Sequence, residues 1–160
     1  METVNKSITL NVSKQDACTV IADFGNAHKY FKSIIHSRSI NKLNAGVGAI
    51  RHCDLPSMMG MKQYIDEEIT DWKEGEEFTY KVTSTAAPIK NGIARWLVCG
   101  DNNQSKITVD ITYQPSGILG NLMKSKLSKE FNKQISEGLK DIKTWIEVSP
   151  QHEYIARNDS

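Results

Sequence analysis

Residues 117–148 read GILGNLMKSKLSKEFNKQISEGLKDIKTWIEV. Apolar residues recur at Leu119, Leu122, Met123, Leu127, Phe131, Ile135, Leu139, Ile142 and Ile146. The steps are mostly three and four, the period of an α-helix with one apolar face. The spacing predicts one long amphipathic helix, ended by Pro150. Six lysines and four acids from Lys124 to Glu147 lie mostly off that stripe and read as its solvated side. A long helix with a single apolar stripe needs a broad apolar surface to lie on. The segments before it must supply that surface.

They read mostly as strands. Val4, Ile8, Leu10 and Val12 alternate with polar residues, a half-buried strand. In "SKQDACTVIADFG", Ser13 can cap a helix, with Asp16 at the capping-box position. Ala17, Val20, Ile21 and Phe24 share its face, and Gly25 is the expected stop. "NAHKYFK" predicts a second short helix from the spacing of Ala27, Tyr30 and Phe31. Six further strands follow: Ile34–Asn41, Ala49–Leu55, Met61–Trp72, Glu77–Ser84, Ile93–Cys99 and Lys106–Gln114. Their connectors, "NAGVG", "PSMMG", "KEGE", "APIKNG" and "GDNNQS", carry the Gly, Pro and Asn that turns require. Connectors this short join antiparallel neighbours.

The expected fold is therefore α+β. A bent antiparallel sheet of seven strands, with two short helices, is covered on its concave face by the long C-terminal helix. Residues 1–149 form this domain, and 150–160 form a polar tail. Incomplete contact between sheet and helix would leave an apolar cavity, an ordinary setting for a small ligand.

The order of elements, with "GVGAIR", "IDEEITDW", "EFTYKV", "ARWLV" and the closing helix, resembles a known family. This is the polyketide cyclase/dehydrase and lipid-transport group of the START-related, Bet v 1-like (SRPBCC) superfamily. The resemblance runs over roughly Val4 to Val148 and implies the helix-grip fold. Carriers, cyclases, hydrolases and lipid-transfer modules share that fold, so it does not carry one chemistry.

Strand parity selects residues that face the cavity. Phe78, Tyr80 and Val82 form one inward set, and Ile107, Val109, Ile111 and Tyr113 another. Met61, Ile65, Glu67 and Ile69 share a parity, which places Glu67 among apolar neighbours. Trp96 is taken as inward in a strand apolar on both faces. Met123 and Leu127 are expected on the lid side. An inward carboxylate requires a partner or a proton. Arg51, one short turn away and in phase with Cys53 and Leu55, is the candidate. Two arrangements fit: a buried pair able to bind a carboxylate or carbonyl or do acid–base work, and a solvated pair near strand ends. The candidate ligand-binding set is thus Arg51, Met61, Ile65, Glu67, Phe78, Tyr80, Trp96, Val109, Tyr113, Met123 and Leu127.

Other chemistry has little support. The Gly-x-Gly at Gly46 and Gly48 precedes a strand, not a helix, and Arg51 stands where a third glycine belongs, so it reads as a turn rather than a phosphate loop. No metal-ligand spacing, Walker loop or nucleophile elbow occurs, and no cofactor is expected. A net charge of +1 gives no reason to expect nucleic acid as a partner. Charge is uneven: Phe24 to Cys53 holds five Lys or Arg, three His and no acid, and Asp66 to Glu77 holds seven acids. Three well-separated cysteines, with no export signal at "METVNKSITLNV" and no membrane-spanning window, suggest a reducing, cytoplasmic setting. Three functions remain open: a carrier of a small hydrophobic or amphipathic molecule, a cyclase- or dehydratase-like enzyme using Arg51, Glu67 and a tyrosine, and an interaction module.

Overall fold

Seven strands build one antiparallel sheet in the computed structural model, which describes residues 1–148. The polar tail expected at 150–160 lies outside the described residues. The strands are β1 (Glu2–Leu10), β2 (His36–Ser39), β3 (Ile50–Met58), β4 (Met61–Lys73), β5 (Glu77–Thr85), β6 (Ile89–Gly100) and β7 (Ser105–Pro115). Their order across the sheet is β1-β7-β6-β5-β4-β3-β2, as hairpin connections dictate once β1 pairs with the last strand. Between β1 and β2 come helix α1 (Lys14–Ala22) and a 3-10 segment (Phe24–Lys29). After β7 come α2 (Gly117–Leu122) and α3 (Lys124–Val148). This is the helix-grip arrangement.

The sheet bends because its ladders are interrupted. Register shifts fall between Leu55 and Met58, at Asp66–Glu67, at Ile69–Asp71 and between Lys90 and Ile93. Each bulge sharpens the local twist and lets the strands curl around α3. Leu139, Ile142 and Ile146 of α3 join Leu10, Ile69, Val98 and Ile107 of the sheet in one buried apolar cluster. Ser13 caps α1 as expected, its Oγ accepting from the Asp16 N–H at 3.0 Å.

Several boundaries differ from the sequence reading, each for a local reason. The apolar stripe does not form one helix. Met123 leaves helical geometry (φ −96°, ψ 8°) and separates α2 from α3. Leu119 and Leu122 are consequently exposed. Gly25 is no helix stop: α1 ends at Ala22, and Gly25 is buried with its Cα against β2, where a Cβ would lie 3.2 Å from the Ser39 nitrogen. The β3–β4 turn is only Met59-Gly60, both at positive φ (51° and 76°). β6 begins at Ile89, earlier than Ile93, with Asn91 at φ 54° beside the register shift. Gly46 and Gly48 do turn the chain, at φ 84° and 89°. The Gly48 N–H is given to the Ile69 carbonyl at 2.9 Å and is not free to meet an anion.

The outer edge of β2 is closed by the 3-10 segment. The Ser37 N–H donates to His28 Nδ1 at 3.2 Å, and the Ser37 hydroxyl donates to the Gly25 carbonyl at 3.0 Å. A sheet edge covered in this way does not recruit a foreign strand. Because Nδ1 accepts a backbone N–H, the His28 ring is neutral. Its pKa is lowered by burial first, then by the stacked His36 at 5.0 Å and by Lys29, with Asp23 opposing. The unfolded chain therefore takes up this proton first, and stability is lost as pH falls below about 6.5. An NMR titration of the His28 ring is expected to give a midpoint below that value. A midpoint at or above it would contradict the bond to Ser37.

Candidate functional site

The β3–β4 register places Arg51 directly opposite Glu67. Both face the concave side, and each is only 6% exposed. Arg51 Nε donates to Glu67 Oε2 at 2.6 Å. Arg51 Nη1 donates to the Phe24 carbonyl at 3.2 Å, and the guanidinium lies 4.0 Å over the Phe24 ring and 5.0 Å from that of Tyr80. Of the two arrangements open from the sequence, the pair adopts the buried one. A buried ion pair is tolerated where further hydrogen bonds and π-faces replace water, and the 3-10 segment supplies both through Phe24.

Burial sets the chemistry of the surrounding groups. It works against the charge on Arg51, but Glu67, supported by Cys53, Tyr80 and Tyr30, more than reverses this and holds the guanidinium above its ordinary value. Burial pushes the Cys53 thiol up to about 12 and raises the Tyr30 and Tyr80 phenols. All three stay protonated near neutral pH. Tyr80 accepts a hydrogen bond from Trp96 Nε1 at 3.3 Å, which leaves its own proton to give. Among the described residues Arg51 Nη2 has no protein acceptor. The site therefore offers donors.

These groups border a cavity of about 160 Å³ between the sheet and α3. On a scale where one water needs about 10–15 Å³, this is room for a small organic molecule. The burial pattern locates it independently. Ile65, Val82, Ile111, Phe131 and Ile135 are on inward faces yet only half-buried, while their neighbours Ile69, Tyr80, Val109 and Leu139 are buried. The first set forms the walls of a hollow and the second its packed surroundings.

Six of the expected residues line the cavity: Arg51, Ile65, Glu67, Tyr80, Trp96 and Tyr113. Five do not. Met61 is 52% exposed, at the last pair of the β3–β4 hairpin and beyond the reach of α3. Phe78 is inward, but it stacks between Trp72 and Trp96 and borders a different cleft, beside α1. Val109 is fully buried in the core. The break at Met123 removes that residue from the lid, and Leu127 packs beside the cavity rather than on it. The lid is instead Phe131, Gln134 and Ile135. Phe131 and Ile135 continue the apolar stripe that the sequence displays, so they were legible. Phe31 and Gly92, also in the lining, carry no local signal.

The Tyr113 hydroxyl is buried without a hydrogen-bond partner, although its ring meets Phe131 edge-on at 4.8 Å. Burial raises its pKa, the Glu2 carboxylate adds to this, and the Ser128 side chain beside it opposes the rise without completing a bond of normal geometry. The hydroxyl has almost no accessible surface, so Tyr113 gives the cavity wall its ring rather than a free donor. A larger cleft, about 570 Å³, lies at the other end of the sheet between α1 and the β4–β5 turn. Within it Lys73 pairs with Glu76 at 2.5 Å, and the Trp72 indole donates to Glu74 at 2.7 Å. Among the described residues no cluster of His, Cys, Asp and Glu is suited to a metal, and no helix is long and apolar enough to cross a membrane.

The chain has the fold of several solved proteins. The Zhui aromatase/cyclase from Streptomyces sp. R1128 aligns with a TM-score of 0.75 at 14% identity, over 91% of this chain and 93% of that one. A START superfamily protein from Mycobacterium smegmatis aligns at 0.69 and 13%, over 91% and 97%. The protein XoxI from Bacillus cereus aligns at 0.74 and 19%, over 90% and 94%. At these identities the likeness concerns fold alone. No curated protein gives a significant sequence match. The family model described as polyketide cyclase / dehydrase and lipid transport matches residues 1–147. The chain belongs to the polyketide cyclase/dehydrase and lipid transport family.

Proposed function

We propose that this protein binds a compact, mostly apolar molecule between the sheet and α3, and that the ligand's one polar group meets Arg51 and Tyr80. The observation that carries this is a self-neutralised ion pair at the edge of an apolar cavity, with donors left over on its cavity side. Apolar walls supply affinity through burial, and a few fixed polar groups supply orientation. Lipid- and polyketide-like molecules both satisfy that description, and the family's description names both classes. Holding or carrying the ligand fits better than transforming it. Cys53, Tyr30 and Tyr80 are all kept protonated by burial, and Glu67 is engaged by Arg51.

Native mass spectrometry of the purified protein is expected to show a retained small molecule or, after stripping, uptake of the fluorescent probe 1-aminoanthracene. Ile135→Trp places a large side chain in the space now bordered by a half-buried isoleucine. It is expected to weaken probe binding by at least about tenfold, the loss of roughly 1.4 kcal/mol of contact. Probe affinity unchanged by Ile135→Trp would remove the cavity from consideration.

A further inference from the structure

Helix α2 is the part of the apolar stripe that the core does not use. Gly120 presses one side of it against the β5–β6 connection: a Cβ there would lie 2.5 Å from the Pro88 carbonyl. The Ser116 N–H donates to that same carbonyl at 2.8 Å. The opposite side carries Ile118 and Leu122, one helical turn apart. They are 82% and 81% exposed, and Leu119 beside them is partly exposed. Two branched apolar side chains held this far into water stand apart from the rest of the stripe, which beyond α2 is buried or half-buried.

The charges around them indicate what they meet. Lys124, Lys126 and Lys129 follow directly and are exposed, and Lys90 stands on the strand paired with the end of β7. No acidic residue occurs between Asp110 and Glu130. Lys124 also bonds Glu2 at 2.9 Å, yet it remains more than half exposed. A small apolar prow with a basic collar matches the boundary layer of an anionic bilayer, where acyl chains lie beneath negative headgroups. It is a poor match to a protein groove, since one six-residue helix offers far less than the roughly 800 Å² per partner of a stable interface.

We propose that α2 and the first turns of α3 form a docking surface for an anionic lipid bilayer. The surface adjoins the cavity, because Pro88, which anchors α2, lies between Ala87 and Ile89 of the cavity wall. Docking there would bring that wall to the bilayer. The proposal does not depend on the cavity having a ligand.

The test is co-sedimentation of the full chain with vesicles of phosphatidylcholine alone, or of phosphatidylcholine mixed with phosphatidylglycerol. Binding to the mixed vesicles is expected, reduced by salt, and weak or absent on pure phosphatidylcholine. The double variant Ile118→Ser/Leu122→Ser is expected to lose at least tenfold in partition. Lys126→Gln and Lys129→Gln are expected to lose about fivefold each. These side chains are exposed, so an unchanged thermal melt certifies the fold. Absence of binding by the native chain, or equal binding by the double variant, overturns the proposal. So does a concentration-dependent dimer in sedimentation velocity that the double variant dissolves, which would make a second copy the occupant. Retained 1-aminoanthracene binding in the double variant separates failure here from failure of the cavity.

Discussion

Glu67→Ala is expected to destabilise the protein by about 3–5 kcal/mol, the typical effect of removing one partner from a buried ion pair. The loss comes from Arg51. Its guanidinium cannot deprotonate, is only 6% exposed, and would keep one bond to the Phe24 carbonyl in an otherwise apolar setting. The double variant Arg51→Met/Glu67→Leu removes both charges at similar volume. It is expected to recover most of the loss and to equal or exceed the native stability. Urea unfolding of the native chain, the single variant and the double variant measures all three. A single variant within about 1 kcal/mol of native would mean that water reaches the pair, as exposed pairs contribute at that level. On the proposed binding role, the double variant should also bind ligands with less selectivity for their polar group while keeping affinity for apolar ones.

Gly138→Ala is the second large effect, and its sign is opposite to helix propensity. In an exposed helix interior the change gains about 0.5–1 kcal/mol. Here a Cβ would overlap the ring of Phe31, which sits in the notch that Gly138 leaves on α3. Overpacking of this kind costs typically about 1–3 kcal/mol. Displacing Phe31 also moves a wall of the cavity. A net loss of about 1–2 kcal/mol is expected, together with altered affinity for 1-aminoanthracene. Phe31→Leu combined with Gly138→Ala is expected to restore stability, because the shorter side chain vacates the notch. A more stable Gly138→Ala protein would show that the ring has somewhere else to go.

These two sites also mark what the sequence can and cannot reveal. Parity alone brought Arg51 and Glu67 onto one face of neighbouring strands, since period-two alternation and a short turn fix register. Whether they meet in water or in the core depends on Phe24, from a segment far away in the chain, whose carbonyl and ring are supplied by tertiary packing. The same limit applies to the long helix. Leu119, Leu122 and Met123 keep the helical spacing, so periodicity gives no warning of the break. The packing of this segment rests on the close approach of Gly120 to Pro88, a contact between elements that the spacing does not display. Gly138 reads locally as a weak point in a helix, and only Phe31 explains it. The walls of the cavity were partly legible because Val82 and Ile111 follow strict alternation. The hollow itself was not, because its extent is set by which side chains fail to meet.

That unevenness of packing has a dynamic consequence. The half of the sheet under Leu139, Ile142 and Ile146 is filled, while the half under Phe131 and Ile135 is hollow. Local opening draws on regions with few buried contacts, and its free energy is well below that of global unfolding. The hollow half, with the β5–β6 connection and the start of α3, is therefore expected to lose its amide protection in hydrogen exchange before the filled half does. On the proposed binding role, guest exchange would be a fluctuation of one cooperative unit rather than a partial melting of the whole protein.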